Sequence, residues 1–275
     1  MTRRSAGLAV FFLLAFAVPW TGWTILAVTG MDWGSPTGRL LFSTGLACSL
    51  GGLVAVAVEE GRAGLVERLR QLVRWRVSPG WYAFALLGPV ALVWIASTLY
   101  LLATRGAYVA PDLSALRNWW SMAALLIIIP GPLGEEFGWR GYLLPRLTKR
   151  FSFTVAAVLV GLLWGVWHLP LYWGRIVGAG PLWFALFCAG VVALSILIAV
   201  LWLETRSLLL PIAAHFMVNL SQNWTFYPSL RPDEQVAYLA VFVGVTAAAA
   251  VAALYRVRGR PPPPPSSRQL PDGRP

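Results

Sequence analysis

The sequence predicts an all-α protein that crosses a membrane several times, and three observations predict it. Of 275 residues, 58% are hydrophobic, only 12% are charged, and the apolar residues fall into long runs. About a quarter of a soluble domain is charged, and a chain with half of that could not cover its surface with polar groups. The same figures exclude disorder for most of the chain. About eight runs have the length that crosses a bilayer core as a helix, ~20 residues.

The first run, 6–28, follows Arg3 and Arg4 and contains Ala15, Phe16 and Ala17, so a cleaved signal peptide has to be weighed. It continues through Val28, which favours a retained helix. The second run is 39–58. After it, residues 59–78 carry Leu65, Leu69, Leu72 and Val73 three or four apart with arginines on the other face. That is the pattern of an amphipathic helix lying on the cytoplasmic leaflet. The remaining runs are 80–103, 119–138, 153–170, 181–203, 207–223 and 235–255. In the seventh, Pro211 removes a backbone donor four residues before His215 and is expected to kink the helix. Residues 1–255 thus form one transmembrane domain. The tail, 256–275, is basic and contains Pro261 to Pro265, so it is expected to be disordered or in polyproline II.

The net charge of +11 would point to nucleic acid in a soluble protein, but here the basic residues lie in the gaps between apolar runs. With no basic and aromatic stripe, no nucleic-acid partner is expected, and the lipid bilayer is. With the N-terminus inside, 17 Lys and Arg residues fall on one side of the membrane and five on the other (Arg39, Arg105, Arg117, Arg175, Arg231). The positive-inside rule therefore puts both termini in the cytoplasm. One lysine against 21 arginines suggests a GC-rich, bacterial source and hence a plasma membrane. Cys48 and Cys188 lie in apolar runs without CxxC spacing and read as small buried hydrophobes.

An ionisable group at membrane depth costs at least ~2.5 kcal/mol, so its presence needs a reason. In GPLGEEFGWRGYLLPRL, Glu135 and Glu136 are adjacent and on a helix point about 100° apart. Glu136 and Arg140 share a face in the favoured order for an ion pair. Glu135 is then the carboxylate expected to face a cavity as a general base, unless both acids pair arginines at a cytoplasmic helix end. His168 follows Trp164 by four residues and precedes Pro170, a place equally natural for an interfacial histidine. His215 and Asn219, four apart, share a stripe, which suits either a cavity or an interhelical hydrogen bond. Glu204 and Arg206 read as solvated residues of a cytoplasmic turn. Together, Glu135 and His168 could take a proton from water while His215 and Asn219 hold an oxyanion. Glu135, His168 and His215 would equally suit a zinc ion with an open position, although no HExxH motif is present.

At these residues the chain resembles the CPBP family of intramembrane endopeptidases, which includes the type II CAAX prenyl proteases and the bacteriocin-processing and immunity proteins. The resemblance covers residues 115–225. The family's EExxxR motif is matched by Glu135, Glu136 and Arg140. Its aromatic residue ahead of a histidine is matched by Trp164 and His168, with Trp where Phe is usual. Its HxxxN motif is matched by His215 and Asn219. The resemblance implies hydrolysis of a peptide bond in a membrane-associated, CAAX-like or leader peptide. It also implies that Glu135 and His168 activate water and that His215 and Asn219 stabilise the tetrahedral intermediate, with Glu136 and Arg140 in support. Members are commonly labelled metalloproteases, yet a metal-free glutamate mechanism is also argued for the CAAX branch, so zinc stays open. A prenylated substrate fits a bacterial source poorly.

One feature sits badly with straight spans. Glu135 would lie ~24 Å from the outer end of the fourth helix and His168 ~22 Å from the inner end of the fifth, too different in depth to meet. Either the fifth helix starts farther in than drawn or residues 141–151 dip into the leaflet, and the span ends are the weaker assumption. Two other functions are open: a proton- or substrate-coupled transporter, since acids and imidazoles in spans also relay protons, and a catalytically silent immunity or scaffold protein. Paired halves with broken helices would mark the transporter, and no such symmetry is visible in the sequence.

Overall fold

Five helices begin with a proline at their first or second position, where its missing N–H costs nothing: Pro36, Pro79, Pro132, Pro181 and Pro232. Gly30 ends the first helix and Gly106 the one that begins at Pro79, both in the left-handed conformation, at φ 62° and 65°. These signals frame an all-α structure. The computed structural model describes residues 2–106, 131–173, 180–223 and 230–258, and among them there is no β-strand.

In chain order, α1 is Arg3–Thr29, α2 Pro36–Leu72, α3 Pro79–Arg105, α4 residues 132–147, α5 Phe153–Trp173, α6 Pro181–Thr205, α7 Leu209–Asn223 and α8 Pro232–Val257. All but α4 and α7 are long and apolar enough to cross a membrane. The chain is an integral membrane protein. Apolar side chains such as Leu13, Leu40, Leu87 and Leu182 are exposed along these helices, as a lipid solvent permits. The seventh expected run is a helix, but its 15 residues rise only ~22 Å, short of the ~30 Å hydrocarbon core. The outer part of the run at 119–138 and the proline-rich tail from 259 lie outside the described residues.

Helix α6 is the axle. Its residues 193–202 are buried on every side, between α5 and α8, with α7 and α3 alongside. Helix α7 packs on α3 and on the first turn of α4, while α1 packs on α2 and reaches the end of α5. Phe11, Ala15, Trp23 and Leu26 put α1 in the core, so the first run is an integral part of the site wall.

The amphipathic helix is present. It continues α2 past a break at Gly61, where φ is 64° and ψ −158°. Its apolar stripe divides: Leu65 and Leu72 pack on the core, whereas Leu69 and Val73 stay exposed. Arg68 turns inward, donating from Nε to the Gly141 carbonyl at 2.6 Å and pairing with Glu60 at 3.2 Å. Glu59 accepts from the Tyr142 hydroxyl at 2.7 Å and from Arg146, so the expected inner ends of α2 and α4 are tied together. Both cysteines are free thiols; Cys48 is buried and Cys188 half-buried.

Helix α4 lies close against α2. A Cβ on Gly52 would come within 2.7 Å of the Phe137 carbonyl, and one on Gly138 within 2.6 Å of the Cys48 carbonyl. Both clashes are with backbone, so neither can be relieved by a rotamer change. Gly138→Val is expected to cost about 1–3 kcal/mol and lower the thermal unfolding midpoint in detergent. Gly88→Ala, where an added methyl meets nothing within 4 Å, should keep or raise that midpoint.

Candidate active site

Helix α4 opens Pro132-Leu133-Gly134-Glu135-Glu136, so the two acids sit in and just beyond its first turn. They point to different partners, as adjacent helical positions must. Glu135 is 3% exposed, and its Oε2 accepts the indole N–H of Trp164 at 2.6 Å. Glu136 is fully buried, and its Oε1 accepts from Arg140 Nη1 at 2.9 Å and from His215 Nδ1 at 2.8 Å. The expected Glu136–Arg140 pair is present, but it has a third member. Arg140 is fully buried rather than cytoplasmic, so it drops out of the topological charge count without reversing it. Its guanidinium carbon lies 4.8 Å from the centre of the Trp164 ring. Arg140 Nε and Nη2 and Glu136 Oε2 are buried without a hydrogen-bond partner among the described residues.

After Glu136 the backbone widens into a π-helical stretch, Phe137–Leu143, before returning to α-helix through Leu147. Such stretches recur at functional sites. This continuation resolves the depth mismatch. From Leu147, Glu135 lies ~18 Å up α4, and from Phe153, where the fifth helix starts as drawn, His168 lies ~22 Å up α5, within reach across a shared cavity. The two meet because the fourth helix runs on beyond 138, and its misplaced inner end caused the discrepancy.

His168 caps the first part of α5, Phe153–Trp167. Its Nδ1 lies 2.8 Å from the Trp164 carbonyl. A carbonyl only accepts, so Nδ1 carries the proton and Nε2 keeps its lone pair. The ring lies between Trp23, stacked at 6.3 Å, and the edge contacts of Trp167 at 5.0 Å and Phe187 at 5.1 Å. Trp167 in turn donates to the Ala15 carbonyl at 2.6 Å, and Trp20 donates to the Trp167 carbonyl at 3.0 Å. Helix α1 therefore closes one wall.

His215 and Asn219 lie on one face of α7. Pro211 does not kink it: as the third residue of a helix starting at Leu209 it removes no intrahelical bond, and Ser207 Oγ accepts from the Leu210 N–H at 3.4 Å. The His215 ring meets Trp164 edge to face at 4.8 Å. Glu135, His168, His215 and Asn219 all line one cavity of about 190 Å³, with Trp164 and Gln222 beside them and apolar side chains over the rest. Glu204 and Arg206 stand apart, half-buried rather than solvated, at the end of α6, where Arg206 has φ 54° and lies over Trp202 at 4.9 Å.

Among the described residues no group of three or more His, Cys, Asp and Glu side chains is arranged to hold a metal ion. Most of the other lining residues escaped the sequence reading, among them Gln222, Trp23 and Phe187. Gln222 carried a signal, since 215, 219 and 222 repeat at helical spacing. Trp23 and Phe187 carried none, because they reach the cavity from α1 and α6.

Residues 117–221 match the family described as type II CAAX prenyl endopeptidase, Rce1-like. The matched stretch contains Glu135, Glu136, Arg140, Trp164, His168, His215 and Asn219. CAAX prenyl protease 2 of Methanococcus maripaludis is 34% identical over 107 residues, which cover 36% of this chain and 39% of that protein. The chain thus aligns with less than half the length of that relative.

Removing one member of a buried ion pair leaves the other uncompensated. Arg140→Ala is expected to destabilise the fold by about 3–5 kcal/mol, read as a lower unfolding midpoint and folded yield. The double variant Arg140→Met with Glu136→Gln should recover much of that loss.

Proposed function

We propose that this chain is an intramembrane endopeptidase that hydrolyses a peptide bond of a membrane-associated peptide, CAAX-like or a leader, with a water activated by Glu135 and His168. The observation that carries this reading is the convergence of Glu135, His168, His215 and Asn219, from three helices, on one cavity. Kinship with the CAAX prenyl endopeptidases supports it. The charge distribution supports an orientation with both termini cytoplasmic, and one lysine against 21 arginines supports a bacterial plasma membrane.

In this mechanism the Glu135 carboxylate takes a proton from water, and the Nε2 lone pair of His168 accepts the water's other hydrogen as a hydrogen bond and aims the oxygen. The hydroxide adds to the carbonyl carbon. Oxyanion charge develops between the Asn219 amide and Nε2 of His215, the nitrogen not engaged by Glu136. Carrying a proton there, His215 donates to the oxyanion. Collapse breaks the C–N bond, and the proton held on Glu135 passes to the leaving amine. Apolar walls limit competing water and strengthen each of these contacts. No step is routed through a metal.

The test is cleavage of a membrane-anchored reporter peptide by purified protein in vesicles, read by mass spectrometry. Glu135→Gln should lower kcat by about 10²–10⁴ without unfolding the protein, and Asn219→Ala by about 10²–10³. A fully active Glu135→Gln variant rejects the mechanism. Flux of a solute without peptide hydrolysis would move the chain to the transporters. Activity is expected to survive chelation, with no stoichiometric zinc by metal analysis; loss on chelation and recovery with zinc would return the metal to the site.

A further inference from the structure

Trp164 touches four charged or titratable groups of the site, Glu135, Arg140, His168 and His215. Its indole N–H donates to Glu135 Oε2 at 2.6 Å, its carbonyl accepts from His168 Nδ1 at 2.8 Å, and its ring faces Arg140 and His215, each at 4.8 Å. The carbonyl contact survives any side chain at 164. The indole contact does not, and it is the one that an aromatic ring without a donor cannot make.

We propose that the indole N–H of Trp164 is a positioning element for the general base: by holding Oε2 it fixes the direction in which the Glu135 carboxylate faces the cavity. This rests on the proposed reading of the cavity. A glutamate has three side-chain torsions, and the last is broad and roughly two-fold, so an untethered carboxylate presents its oxygens in many directions. A short donor on one oxygen removes that freedom. Trp164 is 3% exposed and is itself wedged between Arg140 and His215. Those two are held by the same Glu136 oxygen, so the indole stands on a braced support.

The experiment replaces Trp164 in two ways in the full-length protein. Trp164→Phe keeps an aromatic ring and removes the donor. Site-specific incorporation of 3-benzothienyl-alanine keeps the two-ring shape and changes only the N–H to sulfur. Both are expected to lower kcat about ten- to a hundredfold, the scale of a reacting group displaced by a fraction of an ångström to one ångström. KM should stay within about twofold, because substrate binding does not use this bond. The unfolding midpoint of the benzothienyl protein should match the parent, and that protein decides the matter if the Phe variant does not fold. Full kcat with the benzothienyl residue would overturn the proposal and leave Trp164 a packing residue, and so would a change confined to KM. An active Glu135→Gln variant would remove both the reading and this inference. An inactive Glu135→Gln together with a fully active benzothienyl protein would remove the inference alone.

Discussion

The buried carboxylate of Glu136 is the contact on which the rest of the site depends. A fully buried guanidinium and a fully buried carboxylate are each costly to take out of water, and Arg140 and Glu136 meet that cost by pairing at 2.9 Å. The same oxygen accepts His215 Nδ1 from α7. One atom therefore sets the register between α4 and α7, and it decides which nitrogen of His215 faces the cavity. Pairing alone would leave the guanidinium faces bare, and the Trp164 ring covers one of them. Glu135, one residue earlier and about 100° away, is released from pairing duty because its neighbour has taken it.

Close backbone approach makes this arrangement possible. Glycines at 52 and 138 let α2 and α4 touch main chain to main chain, which brings the first turn of α4 deep into the helical bundle. The wider π-helical turns that follow return the chain towards α2, where Arg68 reaches the Gly141 carbonyl. On the opposite side, tryptophans do the spacing. Trp23 and Trp167 pack edge to face at 4.5 Å and fix the ring of His168 between α1 and α6. Their indole donors go to backbone carbonyls, Phe42 for Trp23 and Ala15 for Trp167, so wide aromatic surfaces are buried without stranded N–H groups.

Much of this was legible from residue spacing. The ion pair of Glu136 with Arg140 and the shared face of His215 and Asn219 follow from a four-residue interval, which a helix makes local. The readings that failed depended on where an element starts or ends. Pro211 was expected to kink α7 because the helix was drawn from 207; starting at Leu209, it places the proline where no backbone bond is lost. Glu135 and His168 were at odds in depth because the fourth run was ended where its hydropathy falls, at 138. The helix continues through Gly141, Tyr142 and Arg146, whose polar atoms are satisfied by α2 and α1 rather than by water. Likewise the stripe of Leu65, Leu69, Leu72 and Val73 is amphipathic as read, but periodicity does not say which solvent each apolar side chain meets. Protein takes Leu65 and Leu72, and the exposed side is left to Leu69 and Val73.

By itself, the sequence determined that this is an all-α membrane protein and which few polar residues are out of place in it, because apolar run length and helical periodicity are local properties. Tertiary structure alone decided that Glu136 serves His215 as well as Arg140, that the Trp164 indole holds Glu135, and that Trp23 and Phe187 wall the cavity. Those contacts join residues tens to more than a hundred positions apart, and no spacing rule reaches across separate helices. They are set by which faces of the helices can come close enough to bury charge without leaving it unpaired.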